Sequence, residues 1–153
     1  MDVLPKFKNK SCGDVKKIFY SVADQMPEDT VYRKIEKLCF KNDLTLKQLA
    51  KKAGIKYNTL TGYKNRINEY NLVTLQKIAS VFGYNIDYFI QFDTSKIGNK
   101  IKYLRITRCY GVSEFAKLIG VHRDTIRMWE SNQILPSESN LLLLSAFFGE
   151  HIL

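Results

Sequence analysis

Apolar side chains recur along this chain at the three- and four-residue spacing of helices that bury one face. Val31, Ile35, Leu38 and Cys39 form the first such set. The same spacing, interrupted by Gly54 and by Asn-Asp and Gly-Tyr turns, predicts further helices. They cover about 46–53, 57–64, 72–82 and 86–92. This pattern indicates an all-α fold.

The helical pattern occurs twice. Residues 31–87 align without a gap with residues 97–153 when the chain is shifted by 66 positions, and 11 of the 57 pairs are identical. Most identical pairs are apolar, small or turn-forming, whereas the surface positions differ, as expected of a duplicated fold. The second copy predicts helices over about 97–108, 113–119, 123–130 and 137–148.

The repeat divides the chain into two small modules, residues 31–92 and 97–153, which we call the first and the second module. Units of about 60 residues are marginally stable alone, so we expect them to pack on each other or on a partner. The linker of four residues is short enough to fix their relative orientation. The second module ends too early for a full fifth helix.

Residues 1–30 form an N-terminal arm before the repeat. An apolar stripe from Val15 to Val22 predicts a helix over 14–26, which we interpret as packing on the first module. The alternative is a partly ordered arm.

Charge favours a polyanionic partner. The net charge is +9, and it is uneven: the first module has eleven Lys/Arg against four Asp/Glu, whereas residues 93–153 have eight against six. A basic module binds nucleic acid through release of counterions. The alternative is a lysine-rich surface that is simply solvated.

Other classes of protein lack support in the sequence. The three cysteines have no metal-ligand spacing, and no apolar run approaches the length of a membrane span. We find no pair of carboxylates, glycine-rich phosphate loop or nucleophile-base pattern that indicates an enzyme. We therefore expect a soluble cytoplasmic protein with no catalytic site, metal or cofactor.

A specific motif occurs at the centre of each module. The first copy reads Leu49-Ala50-x-x-x-Gly54-Ile55-x-x-x-Thr59-Leu60, and the second reads Phe115-Ala116-x-x-x-Gly120-Val121-x-x-x-Thr125-Ile126. Two helices that cross at a steep angle need a small residue at the crossing and a glycine in the turn. The polar face of the second helix is then directed outward, where it can enter the major groove of DNA.

At these residues the chain resembles the lambda-repressor-like, Cro/CI-type (XRE) helix-turn-helix family. The resemblance covers about 31–92 and 97–153, and Trp129-Glu130 and Pro136-Ser137 make the second copy the closer match. It implies two tandem modules of this fold preceded by the helical arm. It also implies a sequence-specific regulator that binds double-stranded DNA, with a repressor of phage or mobile-element type as the expected function.

The resemblance also implies site residues, carried over by position. Residues expected to read bases in the first copy are Lys56, Tyr57, Asn58, Thr61 and Gly62. Those in the second copy are His122, Arg123, Asp124, Arg127 and Met128. Residues expected to contact phosphate are Lys47, Lys64, Asn65 and Arg66. Asn58 suits adenine, and Arg123 or Arg127 suits guanine; the alternative for Asn58 is a local hydrogen bond.

The second copy is the weaker candidate for DNA on charge, since Asp124 and Glu130 repel phosphate unless they are paired. It is an alternative site for dimerisation or for a protein partner. The apolar run Leu141–Leu144 exceeds one face of the helix predicted over 137–148, so this helix is expected to meet the first module, the arm or a second chain. The alternative function is an antitoxin or defence-system inhibitor that binds a protein through the same fold.

Overall fold

The protein folds as two bundles of short helices in tandem. The computed structural model describes residues 30–65 and 70–152, and all regular secondary structure within them is helical. The α-helices are α1 (Val31–Lys41), α2 (Leu46–Ala53), α3 (Tyr57–Gly62), α4 (Leu72–Val81), α5 (Ile97–Thr107), α6 (Val112–Ile119), α7 (Arg123–Glu130) and α8 (Glu138–Phe148). Two 3-10 helices cover Tyr63–Asn65 and Ile86–Tyr88. The predicted all-α fold is confirmed.

Local sequence signals set the ends of the helices. At the start of α2, the backbone amide of Thr45 donates to Oε1 of Gln48 at 2.8 Å, while the amide of Gln48 donates to the Thr45 hydroxyl at 3.2 Å. This reciprocal pair satisfies amides that the helix leaves free. Helix α2 ends at Gly54 and α6 at Gly120, with φ of +65° and +79°, a left-handed conformation that glycine adopts without strain.

Each module has its own apolar core. Leu49, Leu60 and Leu75 are fully buried in the first, and Ile101, Phe115 and Ile126 are fully buried in the second. Tyr63 and Trp129, which occupy equivalent positions of the repeat, are 1% and 3% exposed. Both are therefore core anchors, and neither ring is available to stack on a base.

The two modules share a packed interface. Ile106, near the end of α5, is 1% exposed and belongs to the core of the first module although it lies in the sequence of the second. Tyr103 packs against both cores, and its hydroxyl donates to the Asp87 carboxylate at 2.5 Å. Its ring also lies 5.6 Å from that of Phe92. The second module is thus docked on the first through α5.

Some predicted boundaries are wrong. The helix predicted over 86–92 is a single 3-10 turn, Ile86–Tyr88. Gln76 fixes the start of this turn, because its buried Oε1 accepts the amide of Ile86 at 2.7 Å and so holds the chain where Ile86 and Phe89 enter the core. The predicted helix 57–64 likewise becomes α3 followed by a 3-10 turn. The predicted arm helix 14–26 lies outside the described residues.

Candidate nucleic-acid interface

The helix-turn-helix of the first module consists of α2, a turn at Gly54 to Lys56, and α3. The amide of Ile55 donates to the carbonyl of Ala50 at 3.0 Å, which closes the turn. Leu60 of α3 is fully buried and Ala50 of α2 is 3% exposed, so the helices meet through small and apolar side chains. The opposite face of α3 is exposed to solvent.

The residues predicted to read bases lie at the start and on the outer side of α3. Lys56, Tyr57 and Asn58 are exposed, whereas Thr61 and Gly62 are half-buried. The hydroxyl of Thr61 donates back to the carbonyls of Tyr57 and Asn58, both at 3.3 Å. Within the described residues, no hydrogen bond engages the Asn58 side chain. Its amide is therefore exposed and able to pair with a base edge.

Cations surround α3. Lys47 and Lys64 are exposed, as is Asn65, and Nζ of Lys47 lies 5.9 Å from the centre of the Tyr57 ring. Residues 44–68 contain six Lys/Arg and no Asp/Glu. This density of positive charge favours contact with a phosphate backbone. Arg66, the fourth predicted phosphate contact, lies outside the described residues.

In the second module, one carboxylate partly neutralises the equivalent outer face. His122, Arg123 and Arg127 are exposed, with 71%, 57% and 60% of their side chains accessible. The Asp124 carboxylate lies among them. Its oxygens are 3.0 Å from Nη1 of Arg127, 3.8 Å from Nε of Arg123 and 3.3 Å from Nδ1 of His122. The outer face of α7 therefore carries less free positive charge than its sequence suggests, and Met128 on this helix is half-buried.

Glu130 is also paired, but inside the protein. Nε of Arg105 donates to Oε1 of Glu130 at 2.6 Å and Nη2 donates to Oε2 at 2.8 Å, and both side chains are less than 10% exposed. Nη1 of Arg105 donates to the carbonyl of Tyr110 at 2.7 Å. Glu130 consequently presents no charge to a phosphate, and the repulsion considered from the sequence does not arise from it.

Sequence reasoning missed this buried pair, yet the repeat contains a signal for it. Shifted by 66 positions, Arg105 and Glu130 fall on Cys39 and Lys64, so both partners change together. Cys39 is buried, and burial together with the nearby Glu36 raises the pKa of its thiol to about 11. A neutral thiol needs no counter-charge, which leaves position 64 free to carry an exposed lysine.

The described residues show no other chemical centre. They contain no group of three His, Cys, Asp or Glu side chains placed to hold a metal ion. Within the same residues, no helix has the length and apolar character needed to cross a bilayer.

Comparison with known families agrees with this geometry. A family model described as helix-turn-helix, of the Cro/CI type, matches the chain twice, at residues 32–89 and 101–153. Searches of curated proteins and of solved structures found no match.

Proposed function

The chain is a member of the Cro/CI-type helix-turn-helix family of DNA-binding proteins, and from that premise we propose that it is a sequence-specific transcriptional regulator that inserts α3 into the major groove. The first module reads the sequence. The second module has a smaller share in base recognition, because its outer cations are paired with Asp124.

One observation supports this proposal above the others. The outer face of α3 is exposed and lies in a segment with six Lys/Arg and no Asp/Glu. The major groove admits a helix of this kind, with phosphates on both sides of it. Basic side chains at the rim of this face suit the phosphates, and short polar side chains at its centre suit the base edges in the groove.

Base and phosphate contacts have separate roles in the proposed complex. Asn58 pairs with the exposed edge of an adenine, and Lys56 is placed to reach a guanine. Lys47, Lys64 and Asn65 contact phosphates, which fix the position of the protein without reading the sequence. Arg123 and Arg127 add attraction to phosphates that does not depend on base sequence, once their ion pairs with Asp124 break.

We extend the proposal to repression in the cytoplasm. A protein bound in the major groove excludes other proteins from the same base pairs, so binding at a promoter blocks transcription. The phage or mobile-element origin expected from the family resemblance remains a prediction. The alternative role of an antitoxin or defence-system inhibitor depends on a protein partner, and the exposed apolar side chains of the second module are the feature that supports it.

A salt-titrated binding assay tests the proposal. The DNA is the region upstream of the gene for this protein, compared with a shuffled duplex of equal composition. We expect an affinity for one site about a thousandfold or more above that for the shuffled duplex. We also expect both affinities to fall steeply with salt, since counterions are released from phosphates. Equal affinity for the two duplexes at moderate salt would contradict sequence-specific regulation.

The matched pair of variants Lys56→Ala and Lys117→Ala locates the interface. Lys56 lies at the start of α3, whereas Lys117 is an exposed lysine on α6 of the second module. We expect the first variant to lose markedly more affinity than the second. The opposite order would assign DNA binding to the second module.

A further inference from the structure

The side of α1 that faces away from the core is also covered in part. Ile35 belongs to the core of the first module and is fully buried. Lys37, two positions later, lies on the far side of the helix and is nevertheless only 5% exposed. Phe40 shares that side and is half-buried, and Arg33 is exposed. We call Arg33, Lys37 and Phe40 the outer face of α1. A lysine is seldom so deeply buried unless another group pairs with its charge.

The repeat shows what this face does in the second module. The equivalent positions on α5 are Asn99, Tyr103 and Ile106. The Asn99 amide group donates to the carbonyl of Asp93 at 2.9 Å, Tyr103 bonds to Asp87, and Ile106 enters the core of the first module. The outer face of α5 therefore packs on the part of the chain that comes immediately before it.

The part of the chain that comes immediately before α1 is the N-terminal arm, and the spacing is the same. Three residues separate Phe92 from Lys96, the N-cap of α5. Three also separate Met26, where the predicted arm helix ends, from Thr30, the N-cap of α1. A connection this short joins helices that lie antiparallel and in contact. A helix over 14–26 is about 20 Å long and α1 is about 16 Å long, so the arm reaches the whole outer face.

The charges of the two segments are complementary. Residues 24–29 contain three Asp/Glu and no Lys/Arg, whereas α1 contains four Lys/Arg and one Asp/Glu. In an antiparallel pair these acidic residues lie beside the first turns of α1, near Arg33 and Lys37. A carboxylate there gives Lys37 the counter-charge that its burial requires, and it also lies at the positive end of the helix dipole.

We propose that the arm helix 14–26 packs antiparallel on the outer face of α1. Its apolar stripe from Val15 to Val22 then covers Phe40. Phe19 and Phe40 lie roughly two turns from the connection on their respective helices, so the two rings are placed at the same level. This contact lies within one chain and does not depend on the proposed function.

The arm in this position supports the first module from behind. Helix α1 packs on the 3-10 turn Tyr63–Asn65, which directly follows α3. Lys64 and Asn65, two of the proposed phosphate contacts, lie in this turn. A helix that is packed on both sides holds the turn more firmly than a helix that is packed on one side. The first module then has a partner on its first helix, as the second module has.

Photocrosslinking in the full chain tests the contact. Benzoylphenylalanine in place of Phe40 reacts with the segment that covers it, and the same group in place of Leu142, which is 67% exposed, is the control. We expect the first protein to form a crosslink to residues 14–29 in a product of the 17.8 kDa monomer mass, and the control to form none. A crosslink to another segment, a product of twice this mass or no excess over the control would overturn the proposal.

A double-mutant cycle measures the same contact as a free energy. Phe19→Ala and Phe40→Ala should each raise the equilibrium constant for unfolding in urea by about tenfold or more. Because the two side chains share one contact, the double variant should fall short of the product of the two effects by at least about threefold.

Tyr20→Ala is the matched control for the cycle, since it removes a comparably large ring beside the apolar stripe. Its effect should multiply with that of Phe40→Ala. If the effects of Phe19→Ala and Phe40→Ala also multiply, the two rings are not in contact and the proposal is wrong. Failure to bind a specific DNA site, in a chain that gives the expected crosslink and cycle, would instead contradict only the proposed function.

Discussion

Residues 44–68 and 110–134 are the same structural unit with different electrostatics, one strongly basic and the other neutral in net charge. The first has six Lys/Arg and no Asp/Glu, whereas the second has three of each. Both build two helices around a left-handed glycine and bury an aromatic anchor. The comparison shows that the fold is specified by a small set of apolar and turn residues. The charge of the outer face varies independently of them.

The difference extends from the surface to the core. In the second module a buried ion pair, Arg105 with Glu130, joins α5 to α7. In the first module a buried cysteine and an exposed lysine take these places, so the acidic partner of the pair is replaced by a solvent-accessible cation just after α3. One exchange of two residues thus altered both the internal packing of the unit and its attraction for polyanions.

The largest effect is expected from Glu130→Lys, which places the residue of the first module in the second. Arg105 would remain buried without a counter-charge, and loss of one partner of such a pair costs about 3–5 kcal/mol. Urea unfolding measures the change in the free energy of unfolding. The double variant Arg105→Cys/Glu130→Lys restores the complete pair of the first module and should recover most of the loss. If the single variant were as stable as the unaltered chain, the pair would have no structural role.

The next effect is expected at the proposed DNA contact. Asn58→Ala should cost about 1–3 kcal/mol at one base position of the operator and little at others. Binding to a set of operators with single base changes measures this. Gln91→Ala, which removes an exposed amide near the linker, is the matched control. Equal losses on every operator would mean that Asn58 contacts the backbone and does not read a base.

A smaller effect is expected at the contact between the modules. Tyr103→Phe removes the hydrogen bond to Asp87 and keeps the ring, so we expect a loss of about 1 kcal/mol in the free energy of unfolding. Tyr84→Phe, an exposed tyrosine, should change nothing. The hydrogen bond to Asp87 and burial raise the pKa of Tyr103 to about 12. Its stabilisation should therefore be complete below about pH 10 and disappear as the pH rises through 12.

If Tyr103→Phe behaves like Tyr84→Phe, the modules are held together by apolar contacts alone. Thermal unfolding of both variants at pH 8 provides this check.

The smallest effect is expected from Asp124→Asn, which frees Arg123 and Arg127. We expect affinity for random duplex to rise, by less than about 1 kcal/mol, because these pairs are exposed and weak. Filter binding at low salt measures the change, with Glu114→Gln on α6 as the control of equal charge. A rise no larger than that of the control would show that the outer face of α7 stays away from DNA.

Much of the fold was predictable because its signals are local. The capping box at Thr45, the glycine ends at Gly54 and Gly120, and the apolar spacing of α1 depend on residues a few positions apart. Side-chain and backbone preferences act over that range, so a single sequence contains them.

Contacts between distant residues were not predictable in this way. Gln76 accepts the amide of Ile86 from ten residues away, at the start of a 3-10 turn where apolar spacing predicted a longer helix. The pairing of Arg105 with Glu130 depends on where α5 and α7 meet. Which residues contact bases and which contact phosphates depends in addition on how a DNA molecule is placed relative to α3, and the sequence of the protein does not contain that geometry.

Ile106 has a consequence for how this protein can be divided. Separating the modules at the linker would remove Ile106 from the core of the first module and expose it to solvent on the second. Neither isolated module would then have the stability that it has in the full chain. Part of the second duplicate has become part of the interior of the first. We therefore expect related chains to contain both modules together. We also expect the two modules to unfold in one cooperative thermal transition.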